Sequence, residues 1–260
     1  MSYKLIACDL DGTLLDSKKE ISKATIDKIN ELLEKGLYFV IATGRPYTGV
    51  KRYLDLFNQK MPVILYNGSV IRDSRNNEVY ASFSLDKEDA IKIIKIINEH
   101  KGTYIYWKDE VPYVNKVDDY INNYVKLSKV MPKIDSGLDY ENITKIIWFD
   151  ENENLKEYQK TLFSDLNNVN NFTSEPIYLE FVNKNASKEN ALIKISNILG
   201  IKQEEVIAIG DGENDLGMIK WAGTGVSMEN SKDNIKKCAK YITKSNDDEG
   251  VLKALNELIK

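Results

Sequence analysis

Apolar residues follow two rhythms along this chain. The run KLIAC, residues 4–8, shows hardly any alternation with polar residues, as expected of a parallel strand buried on both faces. DGT follows as a turn. From about residue 22 to 35, Ile26, Ile29, Leu32 and Leu33 recur at helical spacing, and Gly36 is the stop. A second unbroken run, LYFVIA, leads into TGRP, where Pro46 can open a helix bearing Val50, Tyr53, Leu54 and Phe57. A third, PVILY, meets Asn67-Gly68, a turn signal that predicts a hairpin through Val70 and Ile71. Strand, helix, strand, helix, strand is the grammar of a parallel α/β sheet.

The middle of the chain reads differently. The spacing predicts helices over 86–100, 117–130 and 155–166. Between and after them come short strands: TYIYW, VPYVN, KIIWF, and the segments 169–173 and 177–182. This is a second α/β layer with a mixed sheet, and Tyr104, Tyr106, Trp107 and Trp148 are expected mostly in its core. The first rhythm then resumes, with a helix over 188–199 closed by Gly200 and strand EEVIAIG. A helix over 214–221, strand TGVSM and helices over 232–240 and 250–259 complete it. The fold class expected is therefore α/β: a Rossmann-like parallel-sheet core, residues 1–83 and 184–260, with an inserted α/β cap domain at 84–183.

Composition narrows the function. With 42% hydrophobic and 29% charged residues, a packed globular chain is expected rather than a disordered one. A net charge of -4 gives no field to hold a polyanion, so no nucleic-acid partner is expected. No apolar run approaches the roughly 20 residues that span a bilayer, so no membrane partner is expected either. The N-terminus lacks the pattern of a signal peptide, and Cys8 and Cys238 form no framework. A reduced, cytoplasmic chain, monomeric or a small homo-oligomer, is the simplest expectation. A single histidine, His100, sets aside Ser-His-Asp catalysis and histidine-rich zinc sites unless it alone serves. Its place at the end of the 86–100 helix suits a cation at a helix C-terminus.

Four stretches at the ends of core strands carry candidate chemistry. In Asp9-Leu10-Asp11-Gly12-Thr13-Leu14, two carboxylates follow a buried strand. Alternation puts them on one side if the strand persists, and a hard divalent cation such as Mg²⁺ relieves their repulsion. The plainer reading is a polar turn. Thr43-Gly44-Arg45 offers a hydroxyl and backbone N–H groups suited to a phosphoryl oxygen, or else Thr43 is simply a helix N-cap. Lys188, in a first helical turn, opposes the macrodipole. Taken alone it reads best as a solvated cation, otherwise as a group aimed at an anion. Gly210-Asp211-Gly212-Glu213-Asn214-Asp215 crowds more acids into a strand-to-helix turn than capping needs, which suggests a metal site.

In this order the four resemble the haloacid dehalogenase superfamily, specifically its Cof-type phosphatases with an α/β cap between the second and third motifs. Those motifs are D-x-D-G-T, a Thr ending the second core strand, a lysine after the cap, and G-D-x-x-N-D-x-x-M, read here through to Met218. The closing S-N-D-D-E-G-V is also similar. The resemblance implies that Asp9 attacks phosphorus, and that Asp11 protonates the leaving oxygen and then activates water. It implies Mg²⁺ bound by Asp9, the Asp11 backbone carbonyl and Asp211, with Asp215 as ligand or support. Thr43, the Gly44 N–H, Lys188 and Asn214 would hold the phosphoryl oxygens of a small phosphorylated metabolite such as a sugar phosphate. A phosphomutase or phosphotransferase of the same fold, and a non-catalytic binding module, are the alternatives. Glu189, where the family commonly has Gly, and Glu229, before Asn230, depart from its pattern.

Overall fold

The computed structural model describes residues 3–58, 61–74, 78–128, 130–137 and 139–259. The chain forms two compact units: residues 1–81 with 187–260, and residues 82–186. In the first, β1 (Leu5–Asp9) leads to α1 (Lys23–Glu34), β2 (Tyr38–Ala42), α2 (Tyr47–Leu54), β3 (Pro62–Leu65), β4 (Val70–Asp73) and β5 (Val79–Ser82). The unalternating runs form buried strands, β1 and β3 wholly and β2 from Phe39 onward, as expected in a sheet covered on both faces. Ser22 caps α1 by accepting from the Thr25 N–H at 3.2 Å.

The second unit holds α3 (Lys87–Glu99), β6 (Thr103–Lys108), β7 (Val111–Val114), α4 (Asp119–Ser128), β8 (Lys133–Ile134), β9 (Ile143–Phe149), α5 (Asn152–Thr161), β10 (Val169–Glu175) and β11 (Tyr178–Asn183). Its sheet runs β10-β11-β9-β6-β7-β8, antiparallel except for the β7–β8 pairing. Period-two alternation splits the strands between two clusters. Tyr104, Tyr106, Trp148 and Phe181 pack with Ile93 of α3 and Leu155 of α5, whereas Ile105, Ile147 and Phe149 pack with Ile121 of α4. Of the four aromatics expected in the core, Tyr104, Tyr106 and Trp148 lie in the first of these clusters, and Trp107 is also buried. His100 is the C-cap of α3, and its Nδ1 lies 2.9 Å from the Ile96 carbonyl oxygen.

The chain returns to the first unit with α6 (Lys188–Leu199), β12 (Val206–Gly210), α7 (Leu216–Trp221), β13 (Thr224–Ser227), α8 (Asp233–Lys236), β14 (Tyr241–Ile242) and α9 (Gly250–Leu258). Among the described residues the first sheet has the order β14-β13-β12-β1-β2-β3-β4-β5. Every pairing from β14 to β3 is parallel, and β3–β4 is antiparallel. After β1 the chain goes to one side for β2, and after the second unit it returns on the other side of β1 for β12. That reversal leaves a crevice at the carboxyl ends of β1, β2 and β12.

Three local expectations change. The helix expected over 155–166 lies earlier, because polar Asn152–Asn154 supply its first turn and buried Phe163 and Leu166 reach the core from the turn that follows. The helix over 232–240 stops at Lys236, because Lys240 N–H pairs with the Gly225 carbonyl and draws the chain back into the sheet as β14. The helix over 117–130 spans Asp119–Ser128, and residue 129 lies outside the described residues. The hairpin expected after β3 forms, pairing Leu65 with Val70, and its turn carries left-handed backbone at Tyr66, Asn67 and Gly68. No helix among the described residues is long and apolar enough to cross a membrane.

Candidate active site

The strand β1 ends at Asp9, and parallel register sets Asp9 beside Ala42, the last residue of β2. On the other side β12 ends at Gly210, so Asp211 emerges next to it. Asp9 and Asp215 are buried, at 6% and 0% exposure. Asp9, Asp211 and Asp215 each present a carboxylate oxygen, and the three atoms lie within 4.8 Å of one another. Thr13 orients this group by donating its hydroxyl to Asp211 Oδ1 at 2.7 Å.

Lys188 is the cation in this cluster. It is 1% exposed, and its Nζ donates to Asp9 Oδ1 at 2.5 Å and Asp215 Oδ1 at 2.6 Å. The solvated reading of Lys188 is therefore overturned: Ser187 caps α6, and the first helical turn is turned inward, onto carboxylates that compensate for the unfavourable dipole end. Burial opposes its charge, but Asp9 and Asp215 outweigh burial and hold Lys188 above the ordinary lysine range. For Asp9, burial is the largest influence. With Asp215 and Asp211 it pushes the carboxyl up to about 8 against the opposing pull of Lys188. Burial likewise raises Asp211 despite the Thr13 hydrogen bond.

Asp215 has both oxygens engaged. Oδ1 takes Lys188, and Oδ2 accepts the N–H groups of Asp211 at 3.0 Å and Gly212 at 2.9 Å. Its geometry is that of an anchor for the loop bearing Asp211. The crowding is tight: a Cβ on Gly210 would stand 2.5 Å from Asp215 Cβ.

Asp11 lies outside the three-carboxylate group. The strand does not persist past Asp9, so alternation no longer aligns the two side chains. Asp11 instead receives a two-pronged contact from Arg45, Nε to Oδ2 at 2.7 Å and Nη2 to Oδ1 at 2.6 Å, and a third bond from Lys19 at 2.8 Å. Burial would raise its carboxyl, but these two cations prevail and hold it below the usual range.

Thr43 follows β2 and is buried. It is not the N-cap of α2, which is Pro46. Its Oγ1 accepts the Arg45 N–H at 3.2 Å, which leaves the hydroxyl proton free to donate. The Gly44 N–H has no hydrogen-bond acceptor among the described residues. Asn214 donates Nδ2 to Asn67 Oδ1 at 2.9 Å. Asp9, Asp11, Thr43, Gly44, Asn214, Asp211 and Asp215 line one cleft of about 310 Å³, with Arg45, Asn67 and Gly212. Lys188 lies beneath it, reaching the cleft residues Asp9 and Asp215. Glu229 is exposed, with Lys244 Nζ 3.8 Å from its Oε2. Glu189 lies against Gly217 of α7, where a Cβ would meet its Oε2 at 2.5 Å.

Arg45, Lys19, Thr13 and Asn67 received no role from sequence reasoning. Thr13 and Arg45 stand inside quoted motifs. Asn67-Gly68 was visible only as a turn signal, and Lys19 carried no signal at all.

A parallel sheet with a carboxylate-rich crevice at its switch point, a buried lysine and free anion donors is the architecture of a phosphoryl-group hydrolase. The chain matches the family model of haloacid dehalogenase-like hydrolases over residues 6–255, and it belongs to that family. The Bacillus subtilis protein YxeH is 34% identical over 99% of this chain and 98% of its own length. A second Bacillus subtilis relative, 5-amino-6-(5-phospho-D-ribitylamino)uracil phosphatase YcsE, is 33% identical over 100% and 97%. A Thermotoga maritima protein solved by X-ray crystallography superposes with a TM-score of 0.91 at 31% identity, covering 99% of this chain and 98% of that one. The chain is thus an enzyme, a hydrolase of the phosphatase type.

Proposed function

We propose that this enzyme is a Mg²⁺-dependent phosphatase of small phosphorylated metabolites that passes the phosphoryl group through Asp9. The observation that carries this reading is the Asp9 carboxylate, buried at the end of β1 and held by Lys188 at the cleft. A buried, oriented carboxylate among anion donors is suited to attack phosphorus.

The donor set fits a hard divalent cation. Asp211 and the second oxygen of Asp9 are carboxylate oxygens without a lysine contact, and Asp215 braces their loop. With Asp9 ionised, as its attack on phosphorus requires, three carboxylates face one ammonium, so a phosphate dianion needs further positive charge before it can enter. Asp9, Asp211 and the Asp11 backbone carbonyl would hold Mg²⁺, which supplies charge neutralisation at the phosphoryl oxygens.

In the first half-reaction, an Asp9 carboxylate oxygen bonds to phosphorus as the ester bond to the leaving oxygen breaks. Asp11 gives that oxygen its proton. In the second, Asp11 takes a proton from water, whose oxygen attacks the aspartyl phosphate and releases inorganic phosphate and the Asp9 carboxylate. The donor role requires Asp11 to exchange an Arg45 contact for the leaving oxygen. Thr43, the Gly44 N–H, Asn214 and Lys188 meet the charge on the phosphoryl oxygens.

The inserted unit, residues 82–186, recognises the rest of the substrate. One relative is named for a phosphorylated ribityl compound, so small polyhydroxy phosphate esters are the first class to assay. The test is Asp9→Asn beside the parent enzyme, with and without EDTA. The carboxamide is nearly isosteric but a poor nucleophile and ligand. We expect a folded protein with turnover reduced by several orders of magnitude, and parent activity that EDTA abolishes and Mg²⁺ restores. Near-normal turnover by Asp9→Asn, or full activity under exhaustive chelation, contradicts the mechanism.

A further inference from the structure

The turn between β3 and β4 carries a side chain to which none of the motifs gives work. Tyr66, Asn67 and Gly68 have φ of 49°, 55° and 106°, three left-handed residues in succession. Residues with a Cβ resist that region, and asparagine is among those that tolerate it best. The backbone is held there from several sides. Asn67 N–H donates to the Thr43 carbonyl at 2.9 Å and Tyr66 N–H to the Arg45 carbonyl at 3.2 Å. Ser69 Oγ donates to the Tyr66 carbonyl at 3.0 Å. Gly68 is pressed against Ser187, the N-cap residue of α6, where a Cβ would stand 2.2 Å from the Ser187 carbonyl oxygen.

This wedge sets the Asn67 side chain on the wall of the cleft. Its Oδ1 accepts from Asn214 Nδ2 at 2.9 Å. Its amide also faces Gly44, where a Cβ would lie 3.1 Å from Oδ1 and 3.2 Å from Nδ2. Among the described residues Asn67 Nδ2 makes no hydrogen bond. An unused donor thus lies between Gly44 and Asn214, both assigned above to the phosphoryl oxygens. If tolerance of left-handed φ were all the position needed, glycine would serve as well and the amide would have no reason to reach Asn214.

We propose that Asn67 positions the transferred phosphoryl group: its Oδ1 fixes the Asn214 amide, and its Nδ2 donates to the anion that Thr43, Gly44 and Asn214 hold. The inference rests on the phosphatase reading above. It assigns work to a residue outside the four motifs, and it joins the β3 turn to the loops after β2 and β12.

The experiment compares Asn67→Gly and Asn67→Asp with the parent. Glycine keeps the left-handed turn without steric cost and removes the amide. Aspartate keeps the size and backbone tolerance but turns a negative charge toward the anion. Kinetics on a small phosphate ester, inhibition by inorganic phosphate and thermal unfolding are measured for each. We expect Asn67→Gly to unfold cooperatively near the parent temperature. Its inhibition constant for inorganic phosphate should rise, and its kcat/KM fall, by roughly tenfold to a hundredfold, the worth of a hydrogen bond to a charged group. Asn67→Asp should lose more in the same direction. In the double variant with Asn214→Ala, the losses should be less than additive because the two amides act together. Parent-like phosphate inhibition in Asn67→Gly, strictly additive losses, or loss of cooperative folding in Asn67→Gly each overturns the proposal. The last outcome would show a purely structural side chain. Asp9→Asn is run alongside: if it retains turnover, the phosphatase reading itself falls, whereas an inactive Asp9→Asn beside a parent-like Asn67→Gly removes only this inference.

Discussion

Single residues in this site are constrained by distances of a few tenths of an ångström. Gly12 has φ of 80°, and a Cβ there would meet Asp211 Oδ2 at 2.6 Å. The left-handed backbone costs an alanine about 1–2 kcal/mol. The collision is with the movable end of a carboxylate, so Gly12→Ala should still fold. We expect a thermal midpoint lowered by several degrees, together with a large rise in the Mg²⁺ concentration needed for half-maximal activity, because Asp211 must turn away from Asp9. A Mg²⁺ titration unchanged from the parent would show that Asp211 is not a ligand. Asn230 braces the same loop by donating Nδ2 to the Gly12 carbonyl at 2.9 Å. The Asn of the M-E-N segment therefore supports the loop, while Glu229 stays in solvent beside Lys244.

At the scale of elements, alternation decides which face of a strand is buried, and side chains then tie down the edges. In the second unit, Asp135 follows the edge strand β8 and gathers three phenols. Tyr104 Oη donates to it at 2.6 Å, Tyr106 Oη at 2.9 Å and Tyr140 Oη at 3.0 Å, and the Gly137 N–H adds a fourth bond at 2.9 Å. Burial raises the Asp135 carboxyl, but these donors together hold it below its ordinary value near 3.8. A depressed folded value contributes stability above the unfolded value and loses it as pH falls through the folded one. Asp135→Asn should therefore lower the urea midpoint at pH 7, with the gap to the parent shrinking as pH falls below about 4. A gap independent of pH would mean that the amide simply packs badly there.

For the whole molecule, the assigned chemistry lies in one unit. Every residue given a role in phosphoryl transfer belongs to residues 1–81 and 187–260. The other unit has its own sheet and cores, with no part in that list. Exchanging residues 82–186 for the corresponding segment of a relative with another substrate preference should move the preference with the segment. The Asp9 and Mg²⁺ requirements should remain. Steady-state kinetics over a panel of phosphate esters would check this, and a preference that stays with residues 1–81 and 187–260 would refute the division of labour.

Much of this was legible in the chain itself. Unbroken apolar runs predict buried parallel strands because a strand covered on both faces has no polar side, and β1, β2 and β12 follow that rule. The acids after β1 and β12 stood out because turns do not need so many. Tertiary structure alone decided what those acids touch. Lys188 is separated from Asp9 by 179 positions, and only the docking of α6 turns a seemingly solvated lysine into the buried partner of two carboxylates. Arg45 and Lys19 claim Asp11 because the strand ends at Asp9, a boundary set by backbone pairing that no side-chain rhythm records. Asn67 reads in the sequence as turn chemistry. Its meeting with Asn214, 147 positions away, depends on a wedge between two loops and a helix start. Local pattern carries what a residue and its near neighbours bury. Contacts between distant loops depend on the sheet order, which only the folded chain supplies.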